Sequence, residues 1–152
     1  LNMTNLTKAI LVSISLLPVP AWCSETPEAF FSRFAEQLKA FNPAFAEKYS
    51  NDAKISVYGR KGGATYLITE YNGFEWKTWI RDMMPLVKEN EDVTTFSNIQ
   101  MRNNGEAITV TADRRSSGQC YTDTEYNLVL KPTGDSYEIV EERIAVYQDS
   151  HC

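Results

Sequence analysis

Residues 99–147 read IQMRNNGEAITVTADRRSSGQCYTDTEYNLVLKPTGDSYEIVEERIAVY, and apolar and polar side chains alternate along most of this segment. A period of two is typical of β-strands that are buried on one face. Turn-forming residues interrupt the alternation at 103–105, 115–118 and 132–135. We therefore predict a meander of four antiparallel strands, over residues 96–102, 106–114, 120–131 and 136–147.

The turns also predict which side chains of the meander share its inner face. A two-residue turn at 104–105, a five-residue loop at 115–119 and a four-residue loop at 132–135 each fix one register. The resulting pairs are Met101 with Ile108, Val110 with Thr124, and Tyr126 with Glu141. The apolar part of the inner face is then Ile99, Met101, Ile108, Val110, Ala112, Leu128, Leu130 and Ile139. Its polar end consists of Thr122, Thr124, Tyr126, Glu141 and Arg143.

The opposite, outer face of the predicted meander mixes apolar and acidic side chains. Its apolar members are Tyr121, Val129, Val140, Ile144 and Val146, and its acidic members are Asp123, Glu125, Glu138 and Glu142. An apolar patch on the outer face of a sheet usually requires a cover. The predicted helices all precede the meander and are needed on its inner face. We therefore predict a homodimer that forms through the outer face of the sheet.

The chain before the meander predicts helices and two short strands. A first helix is predicted to begin at Thr26, where a capping hydroxyl is followed by a proline and an acidic residue. Its apolar stripe contains Phe30, Phe34 and Leu38. Further elements are a short helix over 43–49, strands over 53–58 and 64–69, and a helix that opens at 72–73. The core face of this last helix is Trp76, Trp79, Ile80 and Met83. Pro85 is expected to end or kink it.

Residues 1–23 predict a signal peptide. They contain one charged residue, Lys8, then an apolar run over 9–19, then prolines and small residues typical of a cleavage site. The run is shorter than the roughly 20 apolar residues that span a bilayer, so we expect no stable membrane insertion after cleavage. Cleavage after Cys23 leaves a single domain over 24–152, which we expect in the periplasm or outside the cell.

Two cysteines, Cys120 and Cys152, remain after the predicted cleavage. An even pair in an exported protein favours one disulfide. In the chain-entropy model such a crosslink contributes on the order of 3–4 kcal/mol to the free energy of unfolding. A cysteine nucleophile is the weaker interpretation, because His151 is the only histidine and a second oriented partner is missing.

Composition excludes several classes of function. The chain has 152 residues and a formal net charge of -5, from 15 Lys and Arg against 20 Asp and Glu. A generic nucleic-acid binder needs a basic face, so we expect no nucleic-acid partner. One histidine and three cysteines are too few for a histidine-rich metal centre or a zinc finger. We therefore predict neither a metal nor a cofactor.

The order of elements resembles that of the nuclear transport factor 2-like superfamily, which includes SnoaL-like and ketosteroid-isomerase-like proteins. The resemblance covers residues 26–148 and is carried by the helix at 30–38, by EKYSNDAKISVYG (47–59), by YNGFEWKTWIRDMM (71–84) and by DSYEIVEERIAVY (135–147). It implies an α+β fold, a cone-shaped barrel whose N-terminal helices pack on a curved antiparallel sheet. It also implies a pocket between sheet and helices, and often a dimer through the sheet.

The polar end of the predicted inner face would line that pocket. The candidate lining is Tyr58, Trp76, Trp79, Thr122, Thr124, Tyr126, Glu141 and Arg143. By the resemblance, Glu141 could act as a general base and Tyr126 as a donor to an enolate oxygen. Arg143 lies two residues from Glu141 on the same predicted face, so an ion pair that closes the barrel mouth, a ligand-binding pair and a catalytic Glu141 all remain open. The weaker carboxylate candidates are Asp82 and Asp113.

The sequence thus predicts an exported small-molecule-binding or accessory protein of the SnoaL-like type, with a small, partly apolar ligand and no assigned reaction. One alternative is a cofactor-free isomerase or hydrolase that uses Glu141 and Tyr126. Another is a protein-interaction factor of the inhibitor or immunity type, acting through the acidic outer face. Binder and enzyme both require an enclosed pocket, whereas an interaction factor could have a filled cone.

Overall fold

The computed structural model describes residues 24–148 and Cys152. The predicted signal peptide, residues 1–23, and His151 lie outside the described residues. The helices are α1 (Pro27–Lys39), a short 3₁₀ helix (Pro43–Lys48) and α2 (Gly73–Glu89), and the strands are β1 (Tyr49–Lys61), β2 (Ala64–Asn72), β3 (Thr94–Asn103), β4 (Ile108–Ser116), β5 (Tyr121–Thr133) and β6 (Ser136–Tyr147). Within these residues, no helix has the length and apolar character needed to cross a membrane.

Both long helices begin at the caps that the sequence predicts. The backbone N–H of Ala29 donates to the Thr26 hydroxyl over 3.2 Å at the start of α1. At the start of α2, Asn72 and Glu75 form a reciprocal capping box with distances of 2.9 and 3.0 Å. The helix α2 continues through Pro85 to Glu89, so of the two expected effects of this proline, an end or a kink, the end is wrong.

The six strands form one curved sheet in the order β2-β1-β6-β5-β4-β3. Neighbouring strands are antiparallel except β1 and β6, which are parallel. The sheet is therefore mixed, not purely antiparallel as predicted, and this pair is allowed because most of the chain separates β1 from β6 and permits a long crossover. In the described residues, β2 and β3 form the two edges, so the sheet does not close into a barrel.

Aromatic side chains fill the space between the helices and the inner face of the sheet. Phe30, Phe31 and Phe34 of α1 are buried there, and they meet rings from the 3₁₀ helix and from the sheet. The ring-centroid distances are 5.7 Å for Phe34–Phe45, 6.3 Å for Phe34–Tyr49, 5.2 Å for Phe31–Phe96 and 5.0 Å for Phe96–Tyr126. The interior of the fold is thus an aromatic core. On α2 the core positions are Trp76, Ile80 and Met84, whereas Trp79, predicted to be buried, is exposed.

The strand pairs differ in register from the prediction, but most of the apolar inner face is retained. Met101 pairs with Val110 instead of Ile108, and Val110 pairs with Leu128 instead of Thr124. Both differences are even numbers of residues, and a strand that slips by an even number keeps the same side chains on the same face. The predicted inner residues Val110, Ala112, Leu128, Leu130 and Ile139 are buried, whereas Ile99 lies in an irregular part of β3 and is exposed.

A bulge in β6 reverses the faces beyond it. Leu130 pairs with Ile139, but the preceding residue of β5 pairs with Glu141. Val140 is therefore an extra residue, and an odd insertion moves every following side chain to the other face. Glu142, and not Glu141, consequently lies on the inner side.

A second register shift lies between β4 and β5, and it likewise moves the side chains of β5 before Tyr126 to the other face of the sheet. Counted back from Tyr126 to the start of β5, the next buried residues are Asp123 and Tyr121. Thr124 is exposed and Thr122 is only half-buried, although both were predicted on the inner face. The predicted polar end of the inner face is therefore wrong beyond Tyr126.

Candidate functional site

One carboxyl group of the interior is held between two tyrosines. The hydroxyl of Tyr49 donates to Oε2 of Glu142 over 2.6 Å, and the hydroxyl of Tyr126 donates to Oε1 over 2.6 Å. Tyr49 opens β1, Tyr126 lies in β5 and Glu142 follows the bulge of β6, so the cluster joins three strands. The exposed fractions are 5% for Glu142, 3% for Tyr49 and 1% for Tyr126.

Burial dominates the electrostatics of this cluster. It raises the pKa of Glu142, although hydrogen bonds from Tyr126 and Tyr49 and the charge of Arg114 act in the opposite direction. Burial, together with the neighbouring Glu142, also raises the pKa of both tyrosines well above its usual value. The indole Nε1 of Trp76 is buried with no hydrogen-bond partner among the described residues, and its proximity to Glu142 lowers the pKa of that carboxyl. The two tyrosine hydroxyls are thus the hydrogen-bond donors to this acid.

This geometry is that of a hydrogen-bonded core cluster. The acid has both oxygens occupied by tyrosine hydroxyls, and the ring of Tyr126 packs on Phe96. A general base needs contact with the proton that it removes. The two hydrogen bonds of Glu142 join β1, β5 and β6.

The residues predicted to be catalytic do not meet. Tyr126 lies on the inner face, whereas Glu141 is exposed on the outer face in a concavity of about 270 Å³ that it shares with Tyr58 and Arg143. The bulge at Val140 is the physical reason for this separation. The predicted pairing of Glu141 with Tyr126 is therefore wrong, and an isomerase or hydrolase mechanism built on these two residues has no geometric basis.

Arg143 forms its ion pair with Glu125 and not with Glu141. Its guanidinium donates to the Glu125 carboxylate over 3.0 Å and to the Glu125 carbonyl over 2.9 Å, and it lies 4.6 Å from the ring centre of Tyr58. Arg60 forms a second ion pair with Glu125. The hydrogen bond from Arg60, assisted by Arg143, lowers the pKa of Glu125. The expected Glu141–Arg143 pair is thus replaced by a network around Glu125.

The other predicted lining residues are scattered. Trp76 is buried on α2 and stacks on the exposed Trp79 with 4.7 Å between ring centroids and 3° between planes. Thr122 and Thr124 lie near the start of β5. The eight candidate lining residues therefore lie on different sides of the sheet and do not form one group. Neither of the weaker carboxylates joins them, since Asp82 is exposed on α2 and Asp113 accepts a hydrogen bond from Asn98.

A groove that the sequence did not predict lies between α1 and the edge strand β3. Its volume is about 490 Å³. The apolar lining is Phe31, Ala35, Phe96, Ile99 and Met101, and the polar lining is Glu28, Ser32, Glu36, Lys39, Thr94 and Thr95. The sequence contains one signal for it, because the α1 residues 28, 31, 32, 35, 36 and 39 share a helix face. The distance between α1 and β3 has no such signal.

The predicted disulfide is present. Cys120 and Cys152 are bonded, with 5.2 Å between their Cα atoms, and the crosslink holds Cys152 next to the start of β5. Cys120 has a φ of 53°, in the left-handed region. Within the described residues, no group of three or more histidine, cysteine or acidic side chains is arranged to hold a metal ion.

The outer apolar patch predicted as a dimer surface is largely inside the protein. Ile144 and Tyr121 are buried, and Val146 packs against the core. Only Val129 and Val140 remain half-buried outside that group. The two bulges explain the change, because they turn the patch inward. The apolar patch on which the homodimer was predicted is therefore not an exposed outer surface. The homodimer itself stays a prediction.

Comparison with solved structures identifies the fold. An NTF2-like protein with a cystatin-like fold from Novosphingobium aromaticivorans aligns with a TM-score of 0.55 at 13% identity, over 80% of this chain and 79% of that one. The β subunit of a provisionally assigned aromatic-ring-hydroxylating dioxygenase from the same species gives 0.52 at 10% identity, over 78% and 84%. A provisionally assigned ketosteroid isomerase from Shewanella frigidimarina gives 0.52 at 16% identity, over 75% and 89%.

These similarities establish the nuclear transport factor 2-like fold that the sequence predicts, and they concern the fold alone because the identities are so low. No protein-family model matches the chain, and no curated protein matches it in sequence.

Proposed function

We propose that the protein is an exported binding or accessory protein of the SnoaL-like type that holds a small, partly apolar molecule in the groove between α1 and β3. The observation that carries the proposal is the groove itself. Its volume of about 490 Å³ lies within the range of roughly 300–1,000 Å³ that is usual for small-molecule sites.

The lining of the groove suits a ligand with an apolar body and a polar end. Phe31 and Phe96, whose ring centroids are 5.2 Å apart, provide an aromatic wall, and Met101 adds an adaptable thioether. Glu28 and Glu36 on the helix can accept hydrogen bonds from a hydroxyl or amino group. The ligand class is therefore a small apolar molecule that carries a hydrogen-bond donor.

Binding without catalysis is the interpretation that fits the rest of the fold. Among the described residues, Glu142 is the only acid with a raised pKa. It lies in the aromatic core, and both of its carboxyl oxygens accept hydrogen bonds from tyrosines. The groove carboxylates, Glu28 and Glu36, are exposed on α1 and can accept hydrogen bonds from a ligand.

An interaction factor that acts through an acidic outer face has less support. Asp123 is fully buried, and its carboxylate accepts hydrogen bonds from the backbone of Glu125 and Ala145. The side chain of Glu125 is neutralised by Arg60 and Arg143. Neither acid is available to a partner as a free negative charge.

Export is supported by the disulfide, because such bonds persist in oxidising compartments. It is tested by mass spectrometry of the protein recovered from the culture medium or periplasm. We expect an amino terminus at Ser24, and recovery only from the cytoplasm with residues 1–23 intact would contradict export.

Ligand binding is tested by titration with the neutral, apolar dye Nile red. We expect a saturable fluorescence increase that the groove-filling variant Ala35→Phe weakens by at least about tenfold. Ala29→Phe is the matched control, because Ala29 is exposed on the same helix and does not line the groove. Unsaturable binding, or equal affinities for the two variants, would contradict the proposed site.

A further inference from the structure

Asparagine is followed by glycine twice in the sequence, at Asn72–Gly73 and at Asn104–Gly105. This dipeptide is chemically reactive, because glycine has no side chain that keeps its backbone nitrogen away from the asparagine side chain. The nitrogen attacks the carbon of the side-chain amide and closes a succinimide ring. Both dipeptides carry the same intrinsic chemistry, so the structure around each of them determines which one reacts.

We propose that Asn104 is a site of deamidation in the folded protein and that Asn72 is protected. At Asn104 the backbone nitrogen of Gly105 forms a bond to Cγ, its proton passes to the departing Nδ2, and ammonia leaves. Water then adds to one of the two carbonyl carbons of the ring and opens it, which leaves aspartate or isoaspartate at position 104. The reaction consumes only water, and Asn104 does not line the groove between α1 and β3.

Asn72 is fixed on both sides of the bond that would have to rotate. Ring closure brings the glycine nitrogen against Cγ, and this requires rotation about the Cα–C bond of Asn72, whose ψ is 167°. On one side Asn72 belongs to β2 and pairs with Lys54 of β1. On the other side Gly73 is buried, and a Cβ there would lie 1.7 Å from the carbonyl oxygen of Ser50. Rotation would therefore separate α2 from the sheet.

The capping box restrains the side chain of Asn72 as well. Its Oδ1 accepts a hydrogen bond from the backbone N–H of Glu75 over 2.9 Å, and the backbone N–H of Asn72 donates to the Glu75 carboxylate over 3.0 Å. Loss of such an N-cap destabilises the helix that it starts. Deamidation of Asn72 therefore requires local unfolding of the first turn of α2.

Asn104 has no comparable restraint from packing. It lies in the turn between β3 and β4, beyond the last pair of these strands, Asn103 with Ile108. Both Asn104 and Gly105 are exposed, and nothing lies within 4 Å of the position of a Cβ at Gly105. Water therefore reaches the reacting atoms, and the glycine can move without displacing a neighbour.

Two side-chain hydrogen bonds at the surface oppose the reaction at Asn104. Its Nδ2 donates to Oγ1 of Thr109 over 2.7 Å, and the N–H of Gly105 donates to Oδ1 of Asn103 over 3.0 Å. Exposed groups of this kind exchange their partners for water at a small net cost. These bonds therefore slow the reaction, whereas the packing at Gly73 prevents it.

The new carboxylate forms close to an arginine. Arg102, Asn104 and Thr109 line one concavity of about 240 Å³. Within residues 24–148, Arg102 takes part in no ion pair. Deamidation thus adds one negative charge to this surface and gives Arg102 an acidic neighbour.

Peptide mass spectrometry of the folded protein tests the choice between the two sites. The protein is incubated at neutral to mildly alkaline pH with its disulfide intact, and each site is followed by the mass increase that replacement of an amide by an acid causes. We expect the rate at Asn104 to exceed that at Asn72 by at least about tenfold, which corresponds to about 1.4 kcal/mol of protection at Asn72.

The same measurement in guanidinium chloride is the control, because unfolding removes both environments and keeps both dipeptides. There the two rates should approach each other. Equal rates in the folded protein, an excess at Asn104 that persists unchanged after unfolding, or a folded protein in which Asn104 stays intact while the unfolded chain reacts would each overturn the proposal.

Ion-exchange chromatography tests the assignment to residue 104. The wild type should accumulate a more acidic species, and Asn104→Gln should abolish it, because the longer side chain does not readily close the ring. The matched control is Asn127→Gln in β5, where leucine follows the asparagine, and this variant should still form the acidic species. Its persistence in Asn104→Gln, or its loss in Asn127→Gln, would overturn the assignment.

Discussion

At the scale of single residues, the character of the interior depends on which of two adjacent glutamates faces inward. Glu142 is buried and accepts hydrogen bonds from the hydroxyls of Tyr49 and Tyr126, whereas Glu141 is exposed. A buried carboxyl is tolerated only when hydrogen bonds compensate for the loss of water. The two tyrosines supply those bonds, and burial still raises the pKa of Glu142.

The raised pKa of Glu142 predicts that the contribution of this group to the free energy of unfolding falls as the pH rises. A group whose pKa is higher in the folded than in the unfolded state stabilises the fold below its unfolded value, about 4.3, and this contribution is lost as the pH passes through the folded pKa. Glu142→Gln keeps the shape of the protonated acid but cannot ionise. We therefore expect the variant to gain stability relative to the wild type as the pH rises above about 4.3, by urea unfolding at a series of pH values.

Glu141→Gln is the control for this prediction, because it changes the adjacent exposed acid by the same chemistry. The pH-dependent gain in stability expected of Glu142→Gln is measured against this variant as well as against the wild type. A difference between Glu142→Gln and the wild type that stays constant over the whole pH range would contradict the assignment of the buried acid.

At the scale of elements, the α2 helix begins in unusually close contact with β1. Gly73 is buried, and a Cβ at this position would lie 1.7 Å from the carbonyl oxygen of Ser50. Helix propensity alone predicts that Gly73→Ala stabilises the protein by about 1 kcal/mol. The contact reverses the sign, because one of the two backbones must move and overpacking typically costs roughly 1–3 kcal/mol.

Gly105→Ala provides the comparison, since nothing lies within 4 Å of its Cβ position but its φ is +84°. We expect Gly73→Ala to lower the free energy of unfolding more than Gly105→Ala does, as measured by urea denaturation. Stabilisation by Gly73→Ala would show that α2 does not start against Ser50.

The strands show which parts of the fold the sequence could predict. Alternation in residues 106–112 and 128–130 identifies the inner face correctly, because an error of two or four residues in a turn leaves the faces unchanged. The bulge at Val140 has no recognisable residue signature, and a single inserted residue there exchanges Glu141 for Glu142. The fold was therefore predictable and the candidate site was not. The groove escaped prediction for another reason, since it depends on the spacing of α1 from β3.

At the scale of the whole molecule, the interior of the fold differs in character from its surface. The inner side of the sheet is an aromatic core closed by α1 and α2, and it contains the Tyr49–Glu142–Tyr126 cluster. Exposed large apolar side chains lie outside this core, on β2, on α2 and at Ile99 of β3 beside the groove.

The disulfide connects Cys152 to Cys120, next to the start of β5, across 32 positions of sequence. Its removal is expected to lower the free energy of unfolding by about 3–4 kcal/mol, because the unfolded chain regains the entropy of an open loop. The aromatic core should remain intact, since neither cysteine belongs to it. Urea unfolding with and without a reductant measures the effect, and the double variant Cys120→Ser/Cys152→Ser should be insensitive to the reductant. An unchanged wild-type stability, in a sample whose thiols are shown to be free, would mean that the crosslink contributes nothing to the fold.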